Sequence, residues 1–258
     1  MQIQLLPSSF DDGGSANAPQ RLTCFLIDNR VTVDAGSIGI AASEAQRRTV
    51  RDIIVTHPHM DHIASLPIFV DDLFAELEQP VRIHATQEVI ELLKLDVFND
   101  TVYPKFDQLT NEHGYVMQYV PFEVGKAFSV AHLTMTAVAV NHIVPTVGLI
   151  ASDGKTTVAF SSDTAETEDF WEMVNREKKL DALFIEASFP NSMQQLANAS
   201  KHLTPSTLQL ELTKLNHNGM DILAVHLKPA YREQVARELN QLGIEKLSVM
   251  ETGRVYEW

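Results

Sequence analysis

The sequence predicts a layered α/β fold rather than a helical bundle or an all-β barrel. Strand-type and helix-type patterns alternate through both halves of the chain, and many of the runs are β-type. The length of 258 residues fits this class, since such folds commonly run to roughly 200–250 residues as one domain. No internal repeat or low-complexity linker divides the chain, and residues 14–19 are its most loop-like stretch. We therefore expect a single domain over residues 1–258.

The first half opens with short β-type runs and continues into helix-compatible segments. A tight turn at Asp28, Asn29 and Arg30 joins the first two runs. A short apolar strand then leads into a histidine-rich segment at residues 56–62. The predicted strands are residues 23–28, 30–34 and 53–55, and the predicted helices are about residues 41–50, 63–77 and 87–95.

Strand patterns dominate the middle of the chain, and helices then alternate with apolar strands. Thr204 is a suitable N-cap, with Pro205 at the first helical position, where its missing N–H is harmless. Gly243 is a suitable glycine to end the last helix. The predicted strands are residues 135–140, 147–151, 156–160, 182–185 and 222–225, and the predicted helices are residues 166–177, 230–242 and one that begins at Pro205.

Composition restricts the partners and the compartment. The net charge of −14 repels polyanions, and Lys and Arg contacts to phosphates supply most nucleic-acid affinity, so we expect no long nucleic acid as a partner. The single cysteine, Cys24, excludes a disulfide within the chain and is expected to be a small buried strand residue. The first residues lack a basic signal-peptide region, and no window holds the roughly 18 apolar residues of a membrane span. We expect a cytoplasmic protein with no membrane partner.

A dense group of metal-ligand residues follows the strand at residues 53–55. His57, His59, Asp61 and His62 place three histidines and one aspartate within six residues. Imidazole and carboxylate groups are suitable ligands for zinc or a similar cation. Because the segment follows a strand and contains a proline, it should be a loop in which two ligands face one metal and two face another.

This segment resembles the His-x-His-x-Asp-His signature of the metallo-β-lactamase-fold hydrolases, and the resemblance extends over nearly the whole chain. It implies a four-layer αβ/βα metallo-β-lactamase sandwich and further ligands at the ends of later strands. His142, Asp163 and His226 occur in the implied order. By this resemblance the first metal is held by His57, His59 and His142, the second by Asp61, His62 and His226, and Asp163 bridges the two.

Asp34 matches the first motif of that family, in which the aspartate supports the site through hydrogen bonds. A turn aspartate at a strand end is an equally good interpretation from the sequence. The other histidines match no motif and are interpreted as structural or surface residues; they are His84, His113, His132 and His217.

Three further segments resemble the class II cyclic nucleotide phosphodiesterases. The ligand motif is followed by a small residue, an apolar stretch and a proline, although Met60 replaces the usual leucine. His226 begins a His-Leu-Lys-Pro segment that resembles their final ligand motif. Residues 185–191 and 202–205 resemble segments of these enzymes and of tRNase Z, where the residue matching His202 lies near the scissile phosphate and the one matching Glu186 orients it.

The resemblance implies metal-dependent hydrolysis of 3′,5′-cyclic nucleotides, cyclic AMP or cyclic GMP, to 5′-nucleotides by a hydroxide at a dinuclear site. His202, oriented by Glu186, would donate a proton to the leaving oxygen, and Asp61 would accept one from the nucleophile. Zinc is the expected metal, with manganese or iron as alternatives for the same ligands. The small cyclic nucleotide is the expected partner, and the family suggests a homodimer.

Two other functions stay open at this point. One is a tRNase Z-like enzyme or another small phosphodiesterase of this fold. Against tRNase Z, only about twenty residues separate His142 from Asp163, too few for the tRNA-gripping arm that bacterial members usually carry there. The other is a non-catalytic metal-binding protein, which the intact ligand set disfavours.

Overall fold

A computed structural model of the chain describes residues 1–10 and 20–258. The predicted loop at residues 14–19 lies outside the described residues. The strands are β1 Gln2–Leu5, β2 Phe25–Ile27, β3 Val31–Val33, β4 Asp52–Ile54, β5 Val81–Ala85, β6 Thr110–Asn111, β7 Gly114–Tyr115, β8 Met117–Pro121, β9 Ala127–Val130, β10 Leu133–Ala139, β11 Val147–Ser152, β12 Thr157–Phe160, β13 Ala182–Glu186, β14 Asp221–Val225, β15 Leu247–Val249 and β16 Val255–Glu257. The helices are α1 Ile38–Ala41, α2 Glu44–Thr49, α3 Met60–Ile63, α4 Leu66–Leu73, α5 Gln87–Asp96, α6 Asp169–Val174, α7 Gln194–Ser200, α8 Pro205–Leu212 and α9 Arg232–Gln241.

The first of two compact units consists mainly of Leu22–Glu123, with the described N-terminal residues and Thr252–Glu257. Its seven-stranded sheet has the order β16-β1-β2-β3-β4-β5-β8. The strands from β16 to β3 pair antiparallel, whereas β3, β4, β5 and β8 pair parallel. Its apolar core joins sheet residues such as Ile53 and Ile83 to helix residues such as Phe69 and Leu93.

The second unit consists mainly of Val124–Glu251. Its seven-stranded sheet has the order β15-β14-β13-β12-β11-β10-β9. The strands from β9 to β12 pair antiparallel, whereas β12, β13, β14 and β15 pair parallel. The carboxyl ends of parallel strands meet at one edge of a sheet. In each unit, the loops that follow several strands therefore lie close together at that edge.

Most of the predicted elements are present, and the α/β class is confirmed. The turn at Asp28 and Asn29 has a left-handed backbone at both residues (φ 48° and 54°), as tight hairpins require. The predicted helix at residues 63–77 is instead α3 followed by the shorter α4. Pro67 explains the break, because it has no N–H for a continuous helix and fits the first turn of a new one.

The predictions for Cys24, for the helix at residues 166–177 and for the number of domains have different outcomes. Cys24 is fully buried, as expected, and directly precedes β2. The predicted helix at residues 166–177 is shorter, since α6 covers only Asp169–Val174; before it, the backbone N–H of Thr167 donates to the side chain of Glu211. The single domain over residues 1–258 stays a prediction.

Among the described residues, no helix has the length and apolar character that crossing a membrane requires.

An ion pair between the buried Asp52 and the half-buried Arg82 links β4 to β5 in the first unit. Arg82 donates two hydrogen bonds to Asp52, with lengths of 2.7 and 2.6 Å. The ring nitrogen Nε2 of His84 lies 2.8 Å from the same carboxylate. Burial opposes the charged form of Asp52, but the hydrogen bonds from His84 and Arg82 outweigh it and lower the pKa of that carboxyl to about 2.

We predict that Asp52→Asn destabilises the protein by about 2–3 kcal/mol at neutral pH, because hydrogen bonds to a buried charge are lost. The pKa of Asp52 is lower in the folded protein than its ordinary value of 3.8. Its contribution is therefore complete above that value and is lost as the pH falls towards 2. Urea unfolding at neutral and acidic pH measures both effects.

The control is Glu44→Gln, which removes the exposed ion pair with Arg48. It should change the free energy of unfolding by about 0–1 kcal/mol. Equal destabilisation by the two substitutions, or an Asp52→Asn difference that persists unchanged in acid, would contradict the prediction.

Candidate metal centre

In the first unit, the ligand-type residues follow the carboxyl ends of β3 and β4. Asp34 comes directly after β3, and its N–H donates to the carbonyl of Ile54 at the end of β4 (2.7 Å). Asp34 has a left-handed backbone (φ 62°), a conformation that carries strain and that aspartate tolerates better than most residues. This turn directs a buried carboxylate toward the segment that begins at Thr56.

The carboxylate of Asp34 binds two residues of the histidine-rich segment. It accepts hydrogen bonds from the N–H of Thr56 (2.9 Å) and from its hydroxyl (3.0 Å). It also lies 2.6 Å from Nδ1 of His62, which is buried. These contacts decide between the two interpretations of Asp34: it supports the histidines through hydrogen bonds.

The same network fixes which nitrogen of each ring can bind a metal. A hydroxyl has one hydrogen, and that of Thr56 is donated to Asp34. The contact between Thr56 Oγ1 and His57 Nδ1 (3.0 Å) therefore requires the His57 ring to donate. His57 and His62 both carry their proton on Nδ1, so Nε2 is the nitrogen of each ring that carries the lone pair a metal would bind.

The other two residues of the motif lie at the start of α3. His59 is the N-cap residue, and its Nδ1 lies 3.1 Å from Nε2 of His57. Asp61 is half-buried in the first turn, and its ligand oxygen lies within 4.8 Å of a His62 ring nitrogen. Two atoms bound to one zinc ion are separated by up to about 4.4 Å, since each bond is about 2.0–2.2 Å. The spacing of these side chains suits metal ligation.

Gly36 allows the Asp34 turn to lie directly against this motif. A Cβ atom at Gly36 would lie 2.1 Å from the carbonyl oxygen of Asp61. The backbone N–H of Ala35 donates to the carbonyl of His62 (2.7 Å), which holds the two segments together. A side chain at position 36 would separate the supporting carboxylate from the ligands.

In the second unit, three parallel strands deliver the remaining residues to one sheet edge. Glu186 ends β13, Asp163 follows β12, and His226 directly follows β14. Ser162 and His226 have left-handed backbones (φ 55° and 59°). Such strained conformations cluster at functional positions, where the surrounding packing enforces them.

Glu186 organises this edge, since it is fully buried and accepts hydrogen bonds on both oxygens. Backbone N–H groups of Thr164 (2.9 Å), Ser188 (3.2 Å) and Leu203 (3.2 Å) donate to it. Nδ1 of His202 lies 2.6 Å from Glu186 Oε1. Burial disfavours the cationic form of His202, but the negative charge of Glu186 and this hydrogen bond outweigh it and raise the pKa of His202.

His142 is held by the end of α7. Its Nδ1 lies 3.0 Å from the carbonyl oxygen of Lys201, and a carbonyl can only accept, so this ring also has Nε2 available. Lys201 adopts a left-handed backbone (φ 52°) that ends α7 and turns its carbonyl toward His142. The ring of His142 lies 5.1 Å from that of His202, measured between centroids.

Metal-ligand chemistry fits each unit considered by itself. In the second unit, ligand atoms of Asp163, His202 and His226 all lie within 4.8 Å of one another, and His142 is equally close to Asp163. In the first unit, His57 and His59 form such a pair, as do Asp61 and His62. Neutral imidazoles with defined tautomers and buried carboxylates form the donor set that a zinc-like cation prefers.

Comparison with known families identifies the superfamily. A model of the beta-lactamase superfamily domain matches residues 29–247. The chain belongs to the beta-lactamase superfamily. The predicted superfamily and the mixed α/β class with two large sheets are therefore confirmed. No curated protein matches the sequence.

Several solved structures share this superfamily fold. Unliganded yeast PDE1 has a TM-score of 0.77 and 16% identity, covering 98% of this chain and 98% of its own. The metallo-beta-lactamase fold protein YhfI from Bacillus subtilis has a TM-score of 0.72 and 16% identity, with coverage of 100% and 99%. The short form of human tRNase Z (ELAC1) has a TM-score of 0.70 and 13% identity, with coverage of 100% and 99%. Identities this low establish the fold and leave the substrate open.

The structure places every residue predicted for the site beside at least one other in its own unit. His57, His59, Asp61 and His62 lie together in the first unit; His142, Asp163, Glu186, His202 and His226 lie together in the second. Three supporting residues were missed from the sequence, namely Thr56, Ser188 and Lys201. Thr56 and Ser188 stand within the recognised segments, but their hydroxyl contacts depend on tertiary structure.

We predict that Asp34→Asn weakens metal binding by roughly 10–100-fold, the usual effect of losing a partner that orients metal ligands. Asparagine tolerates the left-handed backbone, but its amide accepts the His62 and Thr56 hydrogen bonds less well than a carboxylate. Zinc titration against a competing chelator measures the change.

The control is Asp28→Asn, the same substitution at another left-handed aspartate, in the β2–β3 turn. It should leave zinc affinity at the wild-type value. Wild-type zinc affinity in Asp34→Asn, or equal losses in the two variants, would refute the supporting role.

Proposed function

We propose that this superfamily member is a metal-dependent phosphodiesterase that hydrolyses 3′,5′-cyclic nucleotides to 5′-nucleotides. The observation that carries the proposal is the His202–Glu186 pair, which lies beside the ligand atoms of Asp163 and His226. A histidine held as a proton donor next to metal-ligand residues is what cleavage of a phosphodiester requires. The resemblance of the ligand motif and the His-Leu-Lys-Pro segment to class II cyclic nucleotide phosphodiesterases supports the choice of substrate.

The ligand assignment is the one that the family resemblance implies. In this proposal the first metal is held by His57, His59 and His142, the second by Asp61, His62 and His226, and Asp163 bridges the two. The fixed tautomers support it, because Nε2 of His57, His62 and His142 carries a lone pair. Two divalent cations, most simply zinc with manganese or iron as alternatives, would lower the pKa of water to around 7 and neutralise phosphoryl charge.

The remaining chemistry belongs to side chains of this chain. Water adds to phosphorus opposite the 3′ oxygen, and the P–O3′ bond breaks. Asp61 accepts the proton that the water loses. His202 gives its Nε2 proton to O3′, while Glu186 stabilises the imidazolium before that transfer. The product is a 5′-nucleotide with a free 3′ hydroxyl.

The charge and the chain length favour a small substrate over tRNA. The net charge of −14 disfavours a long polyanion. The stretch from His142 to Asp163 is fully described and is occupied by β11 and β12, so it holds no protruding arm. A cytoplasmic location and a homodimer stay predictions.

The direct test is turnover of cyclic AMP, cyclic GMP and bis-p-nitrophenyl phosphate by protein of measured metal content. Chelator should abolish the activity, and added metal should restore it. The proposal requires a 5′-nucleotide product. Hydrolysis of the artificial diester alone would keep a phosphodiesterase centre and remove the cyclic nucleotide as its substrate.

We predict that His202→Ala retains its metal and loses turnover by about 10²–10⁴-fold, the contribution of a positioned proton donor. Asp163→Ala should instead lose metal, because that carboxylate is assigned as the bridging ligand. Elemental analysis and steady-state turnover distinguish the two variants.

His217→Ala is the matched control, since His217 lies before the amino end of β14, the strand whose other end carries His226, and contacts the carbonyl of Val174. Its turnover should equal that of the wild type. Loss of metal from His202→Ala would make His202 a ligand, and wild-type turnover would remove it from the mechanism.

A further inference from the structure

Ser188 lies at the centre of the hydrogen bonds in the second unit. It is fully buried and stands two residues after Glu186. Its Oγ lies 2.8 Å from Glu186 Oε2, 2.9 Å from His226 Nδ1, 3.2 Å from His202 Nδ1 and 3.2 Å from the carbonyl oxygen of His226. One hydroxyl thus touches the proton-donor pair and a proposed metal ligand.

The direction of these hydrogen bonds follows from counting protons. The hydroxyl has one hydrogen, and the carboxylate of Glu186 is its shortest and only charged acceptor. Ser188 Oγ must therefore accept from the His226 ring. The Nδ1 proton of His202 is directed to Glu186 at 2.6 Å, so it does not compete. His226 consequently carries its proton on Nδ1 and presents the lone pair of Nε2.

The first unit contains the same arrangement with different residues. There Asp34 binds His62 directly and binds His57 through the hydroxyl of Thr56. In the second unit Glu186 binds His202 directly and, through Ser188, binds His226. A buried carboxylate, a hydroxyl and an imidazole are thus linked in each unit, and each carboxylate orders a second histidine.

We propose that Ser188 is a positioning residue that holds His226 in the tautomer able to bind the second metal, and that makes Glu186 the common support of this ligand and of His202. The inference rests on the part of the proposed function that assigns His226 as a ligand. It does not depend on which phosphodiester is the substrate.

Removing the hydroxyl gives a definite structural consequence. Without it, Asp163 Oδ1, which lies 3.4 Å from His226 Nδ1, is an alternative side-chain acceptor for that proton. If the His226 ring turns toward Asp163, it forms a hydrogen bond with the carboxylate that is assigned to bridge the two metals. Ser188→Ala removes one oxygen atom and adds no bulk, so the packing around the buried position is retained.

The test uses zinc-loaded protein and two measurements that involve no substrate. Ring-nitrogen NMR of wild-type protein should show a slowly exchanging Nδ1 proton on His226, with Nε2 bound to metal. In Ser188→Ala that proton should exchange with water much faster. Chelator competition should show one of the zinc dissociation constants raised by roughly 10–100-fold, with a smaller change in the other because Asp163 is assigned to both metals.

Ser161→Ala is the matched control. Ser161 is also a buried serine at this sheet edge, but its hydroxyl accepts from the backbone N–H of Glu186 (3.1 Å) rather than binding its carboxylate. The variant should keep both zinc constants and the His226 ring proton of the wild type.

Three outcomes would overturn the inference. They are wild-type ring exchange and zinc affinity in Ser188→Ala, equal losses in Ser161→Ala, and a wild-type protein that binds no zinc. A protein that binds zinc, shows the expected Ser188 effects and hydrolyses no cyclic nucleotide would remove the proposed substrate and retain the role of Ser188.

Discussion

A carboxylate that is shielded from water needs hydrogen-bond donors around both of its oxygens, or its burial is strongly unfavourable. Asp34 and Glu186 are two such carboxylates, and their donors are backbone N–H groups together with a histidine and a hydroxyl of the candidate centre in each case. This requirement orders the rings before any ligand arrives. The same hydrogen bonds place the lone pair of His57 and His62 on Nε2. The contacts that stabilise the buried charge of Asp34 therefore also set the tautomers that a metal would require.

The candidate ligands at residues 57–62 were predicted from their density and ligand chemistry, and the later candidates from the family resemblance. The motif at residues 57–62 follows a short apolar strand, and the later candidates follow strands whose patterns are clear. The supporting contacts depend on chain pairing that no local pattern reveals. Asp34 illustrates the difference: its position in a turn left two interpretations open, and only the hydrogen bonds to Thr56 and His62 separate them. β16 pairs with β1 from the opposite end of the chain and has no local signal either.

The parallel strands account for why residues so distant in sequence converge within each unit. Neighbouring parallel strands end at the same edge, so Asp163, Glu186 and His226 become neighbours through the register of β12, β13 and β14. Substrate choice depends on side chains around the centre rather than on the ligands, and fold alone does not determine it.

The left-handed end of α7 has a dynamic consequence. Lys201 supplies the carbonyl that orders His142, and the N–H of the next residue, His202, donates to Ala197 within the helix (2.9 Å). The candidate ligand His142 and the proposed proton donor His202 therefore depend on the last turn of a helix of seven residues. Local unfolding needs far less free energy at a short helix end than in the sheet core. We therefore expect fraying of this turn to release His142 and His202 more often than global unfolding does.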